Sequence, residues 1–243
     1  MEITDDLQCG GYKIIQDTDC FKFGTDAVLL ADFAKKTSAK NALDLCCGNG
    51  IIPLLLAAKT NISKICGLEI QQKAAILAKR SVLLNGLEER IFITEGDLKN
   101  SDEIFGKRVF DMITCNPPYM KTGSANLNEN DAKSIARHEI SCTLEDVISA
   151  SSKLLKLGGR LFMVHRPNRL AETIACMKKY KIEPKRLRLV FPDATKEPAL
   201  FLIEGLIFGG EELRVMPPLF LKGENGGESE ELKNIYGRGS EEK

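Results

Sequence analysis

Short apolar runs alternate along the chain with stretches whose apolar residues recur at helical spacing. NALDL (41–45) reads as a strand followed by a helix over about 51–59. KICGLEI (64–70) reads as the next strand, followed by a helix over about 71–84 in which Ala75, Ala78 and Val82 share a face and Lys73, Lys79 and Arg80 lie elsewhere. Asn85-Gly86 supplies a stop signal. IFITE (91–95) and VFDMITC (109–115) are two further strands, and a helix near 143–156 ends at Gly158-Gly159. RLFMVH (160–165), a helix near 167–180, RLRLVF (186–191) and ALFLIEGLIF (199–208) complete the series. Strand and helix repeated this way predict an α/β fold, a mostly parallel sheet with helices on both faces. The short Pro/Asp link between the last two runs predicts an antiparallel hairpin at the sheet edge. The region 117–140 has no clear period, and a connection of that length in a compact domain is usually functional. From Gly223 onward the chain reads as a polar, loose tail.

Composition narrows the class without naming a partner. With 43% hydrophobic and 28% charged residues in 243, the chain is an ordinary globular protein with enough length for a sizeable core. Its longest apolar stretch, Ile51 to Ala58, contains Pro53 and falls far short of the roughly 18 residues a membrane span needs. The acidic start MEITDDLQCG lacks the basic and apolar segments of a signal peptide, so a cytoplasmic location is expected. The 8 cysteines show no C-x2-C to C-x4-C spacing and read as reduced, half-buried thiols; with only 2 histidines, no metal site is expected. The net charge of zero hides an uneven distribution: residues 133–190 hold 13 Lys/Arg against 5 Asp/Glu, between acidic ends. Such an excess is either a solvated face or a surface for a polyanion.

Ligands of parallel sheets bind at the carboxyl ends of the strands. The first strand runs into DLCCGNG (44–50), where Gly48 and Gly50 let backbone approach a ligand and the next helix aims free N–H groups at it. A dinucleotide fingerprint would need a third glycine where Pro53 stands. The Asp-x-Gly-x-Gly-x-Gly loop of S-adenosylmethionine-dependent methyltransferases fits at Asp44, Gly48 and Gly50, with Cys46 replacing its first glycine. Glu69, at the end of the second strand, is placed to accept both ribose hydroxyls of a nucleoside, and Asp97 in EGDL, after the third, to accept an adenine amino group. Each acid alone could equally be a helix cap or a solvated loop residue.

The fourth strand ends in Asn116-Pro117-Pro118-Tyr119. Two prolines hold the backbone extended, presenting the Asn116 amide oxygen and the Pro117 carbonyl as convergent acceptors for a planar NH2 group. Tyr119 offers a face for base stacking. The exocyclic nitrogen of adenine is a poor nucleophile because its lone pair is delocalised. Acceptors fixed for the pyramidal amine stabilise the transition state, and in-line positioning supplies much of the rest.

DLCCGNGIIPLLLA followed by NPPY resembles the class I, S-adenosylmethionine-dependent N6-adenine methyltransferases, whose fold is a Rossmann-like, mostly parallel seven-stranded sheet. With FKFGTDAVLLADFA (21–34), ARHEISCTLEDVI (136–148), LLKLGGRLFMVHRPNRL (154–170) and PKRLRLV (184–190), the chain is similar to the bacterial tRNA(Val) adenine-N6 methyltransferase family over roughly residues 10–220. The resemblance implies an N-terminal extension (1–20), a methyltransferase domain (21–222) and a C-terminal tail (223–243). It implies S-adenosylmethionine as cofactor and tRNA as partner, with methylation at N6 of the adenosine 3′ of the anticodon. Phe23, Gly24, Thr25 and Asp26 would close over the methionine end of the cofactor. Asp44, Gly48 and Gly50 would line its amino-acid portion, Glu69 its ribose, and Asp97 with Leu98 its adenine. Asn116, Pro117 and Tyr119 would hold the target base, with Asn116 also at the cofactor. The departure is Cys46, whose side chain could crowd the cofactor or point away.

Arg166 and Arg169 follow the fifth strand, and Lys178, Lys179, Lys181, Lys185, Arg186 and Arg188 form a basic run; both sets are candidate RNA contacts, or a solvated face. His138 reads as a structural or positioning residue rather than a base. The competing readings are a protein-glutamine N5-methyltransferase, another rRNA or DNA amino methyltransferase, and a cofactor-binding RNA module without turnover. The glutamine-modifying enzymes typically carry an N-terminal helical domain, and the roughly 20 residues before FKFGTD argue against that reading.

Overall fold

A computed structural model describes residues 1–17, 24–36, 38–117, 142–223 and 225–238. The chain begins with an antiparallel hairpin of β1 (Glu2–Asp6) and β2 (Lys13–Asp17), followed by α1 (Thr25–Ala34). Then come β3 (Asn41–Leu45), α2 (Ile51–Lys59), β4 (Lys64–Glu69), α3 (Gln72–Leu84) and β5 (Ile91–Glu95). A short α4 (Ser101–Phe105) leads to β6 (Phe110–Cys115). After the undescribed segment, α5 (Leu144–Leu154), β7 (Leu155–His165), α6 (Leu170–Lys179), β8 (Ile182–Phe191) and β9 (Leu200–Ile207) follow. The two-residue strands β10 (Arg214–Val215) and β11 (Leu219–Phe220) and helix α7 (Glu230–Ile235) end the described chain.

The long strands lie in the order β8-β9-β7-β6-β3-β4-β5, parallel except for β9, which runs antiparallel between β7 and β8. The expected edge hairpin is therefore present. The expected count of seven is exceeded: β10 and β11 pair one after the other along β8, giving a nine-stranded sheet whose β8 edge is covered. Such short pieces carry no periodic signal, and they protect backbone groups that an open edge would expose.

Because strand side chains alternate, the sheet feeds two cores. Ala42, Met112, Phe162, Val164 and Leu202 pack with α1 and α2 on one face, and Leu43, Leu45, Ile113, Cys115, Leu161, Met163 and Phe201 pack with α5 on the other. Burial on both faces explains why these strands read as unbroken apolar runs. No helix among the described residues is long and apolar enough to cross a membrane.

Both ends of the described chain are structured. The N-terminal hairpin docks on α3: Ile15 N–H donates to Ser81 Oγ (3.0 Å), and Asn85 exchanges two bonds with the Lys13 backbone (2.8 and 2.7 Å). After Gly223, where a loose tail is expected, Ser229 caps α7 by accepting from Leu232 N–H (3.1 Å), and Leu232 and Ile235 are buried in the α1 core. Two apolar residues in a polar stretch suffice here because they fall three apart on one helical face.

Candidate active site

Strand order reverses between β3 and β6, which is where a parallel sheet opens a crevice at its carboxyl end. Leu45 pairs with Cys115 in register, so the glycine loop and the Asn-Pro motif leave the sheet side by side. Alternation sends Asp44 and Thr114 to the α1 face, opposite the Leu45 and Cys115 side chains packed in the other core.

The loop after β3 is built on left-handed backbone: Cys46 has φ 59°, Gly48 54° and Gly50 87°. At Gly50 a Cβ would also stand 3.1 Å from Ala78 Cβ of α3, so glycine is required on both counts. At Gly48 nothing lies within 4 Å of that position, leaving open space against bare backbone. Cys46 accepts a conformation that costs a side-chain-bearing residue roughly 1 kcal/mol, the physical reason a glycine is usual there. Its thiol turns toward the α5 core and meets the thiols of Cys115 and Cys142. The contact with Cys115 and burial raise the Cys46 thiol above its usual range, and these cysteines stay protonated. The side chain therefore leaves the crevice on the α1 face clear.

Two acids sit in that crevice. Glu69, 4% exposed at the end of β4, accepts from Gly48 N–H (2.8 Å) and from Gln71 N–H (2.9 Å), one bond per oxygen. It fixes the glycine loop while each oxygen keeps a second lone pair. Asp44 is fully buried. Its Oδ1 accepts from Thr114 Oγ (2.6 Å), and its Oδ2 has no partner among the described residues. Burial pushes its carboxyl up to about 8, against the Thr114 bond and with help from the Glu69 charge. The Asn116 Oδ1 is likewise buried without a partner among the described residues, and Pro117 is buried beside it. Orphaned acceptors of this kind are rare in folded proteins and mark where a donor belongs.

The remaining candidates divide. Gly24 is the N-cap of α1, where a Cβ would stand 2.8 Å from Asp26 Oδ1; Asp26 in turn accepts from Ala27 N–H (2.9 Å). Thr25 Oγ faces Tyr236 Oη at 3.4 Å. Asp97 follows β5 and caps a 3-10 turn, accepting from Lys99 N–H (2.9 Å), and Leu98 beside it is buried. Phe23, Tyr119 and His138, with residues 118–141 as a whole, lie outside the described residues.

Sequence reasoning missed the contribution of β2. Asn49, inside the glycine loop, donates to Gln16 Oε1 (3.4 Å), and Gln16 donates to Asp5 Oδ2 (2.5 Å), both amides being buried. The carboxylate of Asp17 pairs with the chain's terminal ammonium (3.1 Å) and Lys73 (2.6 Å). The hairpin is thus one wall of the crevice. The single available signal is the asparagine flanked by two glycines.

The basic candidates are not gathered at the crevice. Arg166 and Arg169 flank the turn after β7, at the carboxyl end of the sheet; Arg166 donates to the Ala199 carbonyl (3.3 Å) and Arg169 pairs with Glu172 (2.7 Å). On β8, Lys185 donates to the Gly210 and Glu211 carbonyls (3.0 and 3.2 Å). Arg186 pairs with buried Glu204 and covers the Phe33 ring, and Arg188 binds Glu231 (2.8 Å) and the Pro217 carbonyl (3.0 Å). These three side chains hold β8 to its neighbours. Arg186→Ala is accordingly expected to lower stability by about 1–3 kcal/mol, since one oxygen of a buried carboxylate loses its partner. Urea unfolding checks this; an unmoved midpoint would remove the pair from the stability of the fold.

Comparison with other proteins places these features. The methyltransferase small domain family matches residues 19–182. A tRNA1(Val) (adenine(37)-N6)-methyltransferase of Porphyromonas gingivalis is 33% identical over 198 residues, covering 78% of this chain and 76% of that protein. Among solved structures, a predicted O-methyltransferase of Agrobacterium tumefaciens superposes with a TM-score of 0.71 at 22% identity, covering 88% of this chain and 97% of its own. Geranyl diphosphate C-methyltransferase of Streptomyces coelicolor, solved with S-adenosyl-L-homocysteine, gives a TM-score of 0.55 at 15% identity over 75% of this chain and 80% of its own.

Proposed function

Because the chain belongs to the methyltransferase small domain family, in the group of the tRNA1(Val) (adenine(37)-N6)-methyltransferases, we propose that it methylates N6 of an adenine in tRNA(Val), beside the anticodon. The observation that carries this reading is the buried Asn116 Oδ1, unpartnered among the described residues, at the strand end next to the glycine loop. An acceptor so placed suits an incoming N–H donor.

The residues fit S-adenosylmethionine. Glu69 keeps free lone pairs for the ribose hydroxyls, the open space at Gly48 admits close contact with backbone, and the orphaned Asp44 Oδ2 suits a cationic group. When bound, the cofactor supplies an electrophilic methyl on a sulfonium. The chain's own work is to orient the amine. Asn116 Oδ1 and the Pro117 carbonyl accept its two hydrogens, which favours the pyramidal nitrogen with a localised lone pair. Tyr119 stacks on the extruded base, a placement we take from its position in the motif. Arg166 and Arg169, at the same end of the sheet, are the basic residues we assign to the substrate backbone.

The test is transfer of labelled methyl from S-adenosylmethionine to tRNA lacking the modification, followed by nucleoside analysis. N6-methyladenosine in tRNA(Val) supports the reading. Label in protein glutamine, or none at all, overturns it.

Asp44 gives the cofactor step a pH dependence. With its carboxyl raised to about 8, Asp44 is mainly protonated in the free protein at neutral pH. A cation beside it favours the ionised form, so binding should release close to one proton at pH 7. Affinity should then climb from pH 6 toward pH 8 and level off above. Calorimetry in buffers of different ionisation enthalpy measures this, and zero proton release would place Asp44 away from the ligand's charge. The same shift makes the free fold lose stability as pH rises from the unfolded carboxyl value, near 4, to about 8.

A further inference from the structure

The sheet carries a second concave surface, at the end opposite the Asn116 crevice. A cavity of about 510 Å³ lies between the residues after α1, the amino-terminal part of β6, the turn within β7, and β8 and β9. We propose that this cleft is a phosphate-binding site built on Arg160, Arg186 and Lys36. The inference is independent of the methyltransferase reading.

The charge balance of the lining is the first argument. Arg160 and Arg186 converge on the single buried carboxylate of Glu204, one guanidinium on each of its oxygens. Two fixed positive charges against one negative leave an excess in the cleft. Lys36 adds a third cation and makes no ion pair among the described residues. The other acid of the lining, Asp111, is already matched by Lys156 (2.7 Å) and by the Lys40 and Asn41 N–H groups (3.0 and 2.9 Å).

The second argument is pre-organisation. Arg186 is held by Glu204, by the face of Phe33 at 4.7 Å and by the Phe33 carbonyl (3.4 Å), so its planar fork is fixed before any ligand arrives. Arg160 spends only Nη1 on Glu204 and has a side chain 42% exposed, leaving its Nε and Nη2 hydrogens for a ligand. The free Nε and Nη2 of Arg160, the remaining Nη1 of Arg186 and the Lys36 ammonium line one space and match the several oxygens of a phosphate group better than a single carboxylate does. Gly158 and Gly159, at the turn, line the cleft with bare backbone. The phosphate can come from a free phosphate ester or from an RNA backbone; the chemistry recognised is the same.

The experiment titrates the full-length protein with inorganic phosphate at constant ionic strength, with chloride as control, by calorimetry and thermal shift. Saturable binding and a rise in Tm specific to phosphate are expected. Arg160→Gln and the exposed Lys36→Gln should each weaken binding tenfold or more. Lys36→Gln keeps the test valid if loss of the Arg160 pair disturbs folding. Displacement of phosphate by an anticodon stem-loop RNA identifies the RNA backbone as the source; displacement by a nucleoside monophosphate but not by the RNA identifies a free ester. Absence of saturable phosphate binding, or binding that both variants leave unchanged, overturns the proposal.

Discussion

Glu69→Ala is expected to weaken S-adenosylmethionine binding by roughly ten- to a hundredfold while the protein stays folded. The carboxylate has two tasks in the geometry. It accepts Gly48 N–H and Gln71 N–H, which sets the position of the glycine loop, and in the proposed reading it offers its remaining lone pair on each oxygen to a vicinal diol. Losing charge-assisted hydrogen bonds of this kind costs about 1.5–3 kcal/mol, which converts to the stated range. Glu69→Gln should fall between wild type and alanine, because one oxygen remains an acceptor and the other becomes a donor. Stability should fall only modestly, by about 1–3 kcal/mol, since two backbone N–H groups lose their acceptor while the cores are untouched. Calorimetric titration with the cofactor, beside urea unfolding of the same variants, separates the two effects. An alanine variant with wild-type affinity would take Glu69 out of the binding site.

The central strands and the glycine loop between β3 and α2 were legible because the physics that places them is local. Buried parallel strands read as unbroken apolar runs, and NALDL, IFITE and the helix from 51 to 59 coincide with the observed elements. Glycines at 48 and 50 announce backbone that only glycine adopts freely, and acids at strand ends announce themselves by position. What stayed hidden depends on distant partners. The β1–β2 hairpin is acid-rich with few apolar residues, and it is held by bonds to Ser81 and Asn85 that no local pattern encodes. Helix α1 is apolar almost all round, since it is buried between the sheet and α7, so it shows no helical period. The basic run on β8 illustrates the limit most clearly. Lys185, Arg186 and Arg188 read as one continuous exposed RNA surface because composition counts charges without their partners. Glu204 lies 18 residues away and Glu231 lies 43 residues away, and only the fold brings them to the arginines. Arg166 and Arg169, beside the turn after β7, are left as the basic candidates at the catalytic end.

Asn116→Ala is expected to reduce single-turnover methylation by about a hundredfold or more, with cofactor affinity almost unchanged. The Asn116 Oδ1 is a buried acceptor at the carboxyl end of β6, and no described residue satisfies it. In the proposed reaction it holds one hydrogen of the target amine most strongly when the nitrogen has pyramidalised. Its loss therefore falls on the transition state more than on the ground state. Removing one such pre-organised group costs about a hundred- to a thousandfold in other enzymes, the scale adopted here. Cofactor affinity should hold because the contacts proposed for it, Glu69 and the glycine loop, lie on β4 and after β3. Tyr119→Ala should instead weaken capture of the extruded base, with Tyr119→Phe tolerated because the stacking face is kept. The measurement is single-turnover formation of N6-methyladenosine at saturating S-adenosylmethionine. The chemical step must slow in Asn116→Ala while titrated cofactor affinity stays within a fewfold of wild type. A fully active Asn116→Ala enzyme would sink the mechanism even with methyl transfer established, because the amine would then be oriented by some other group.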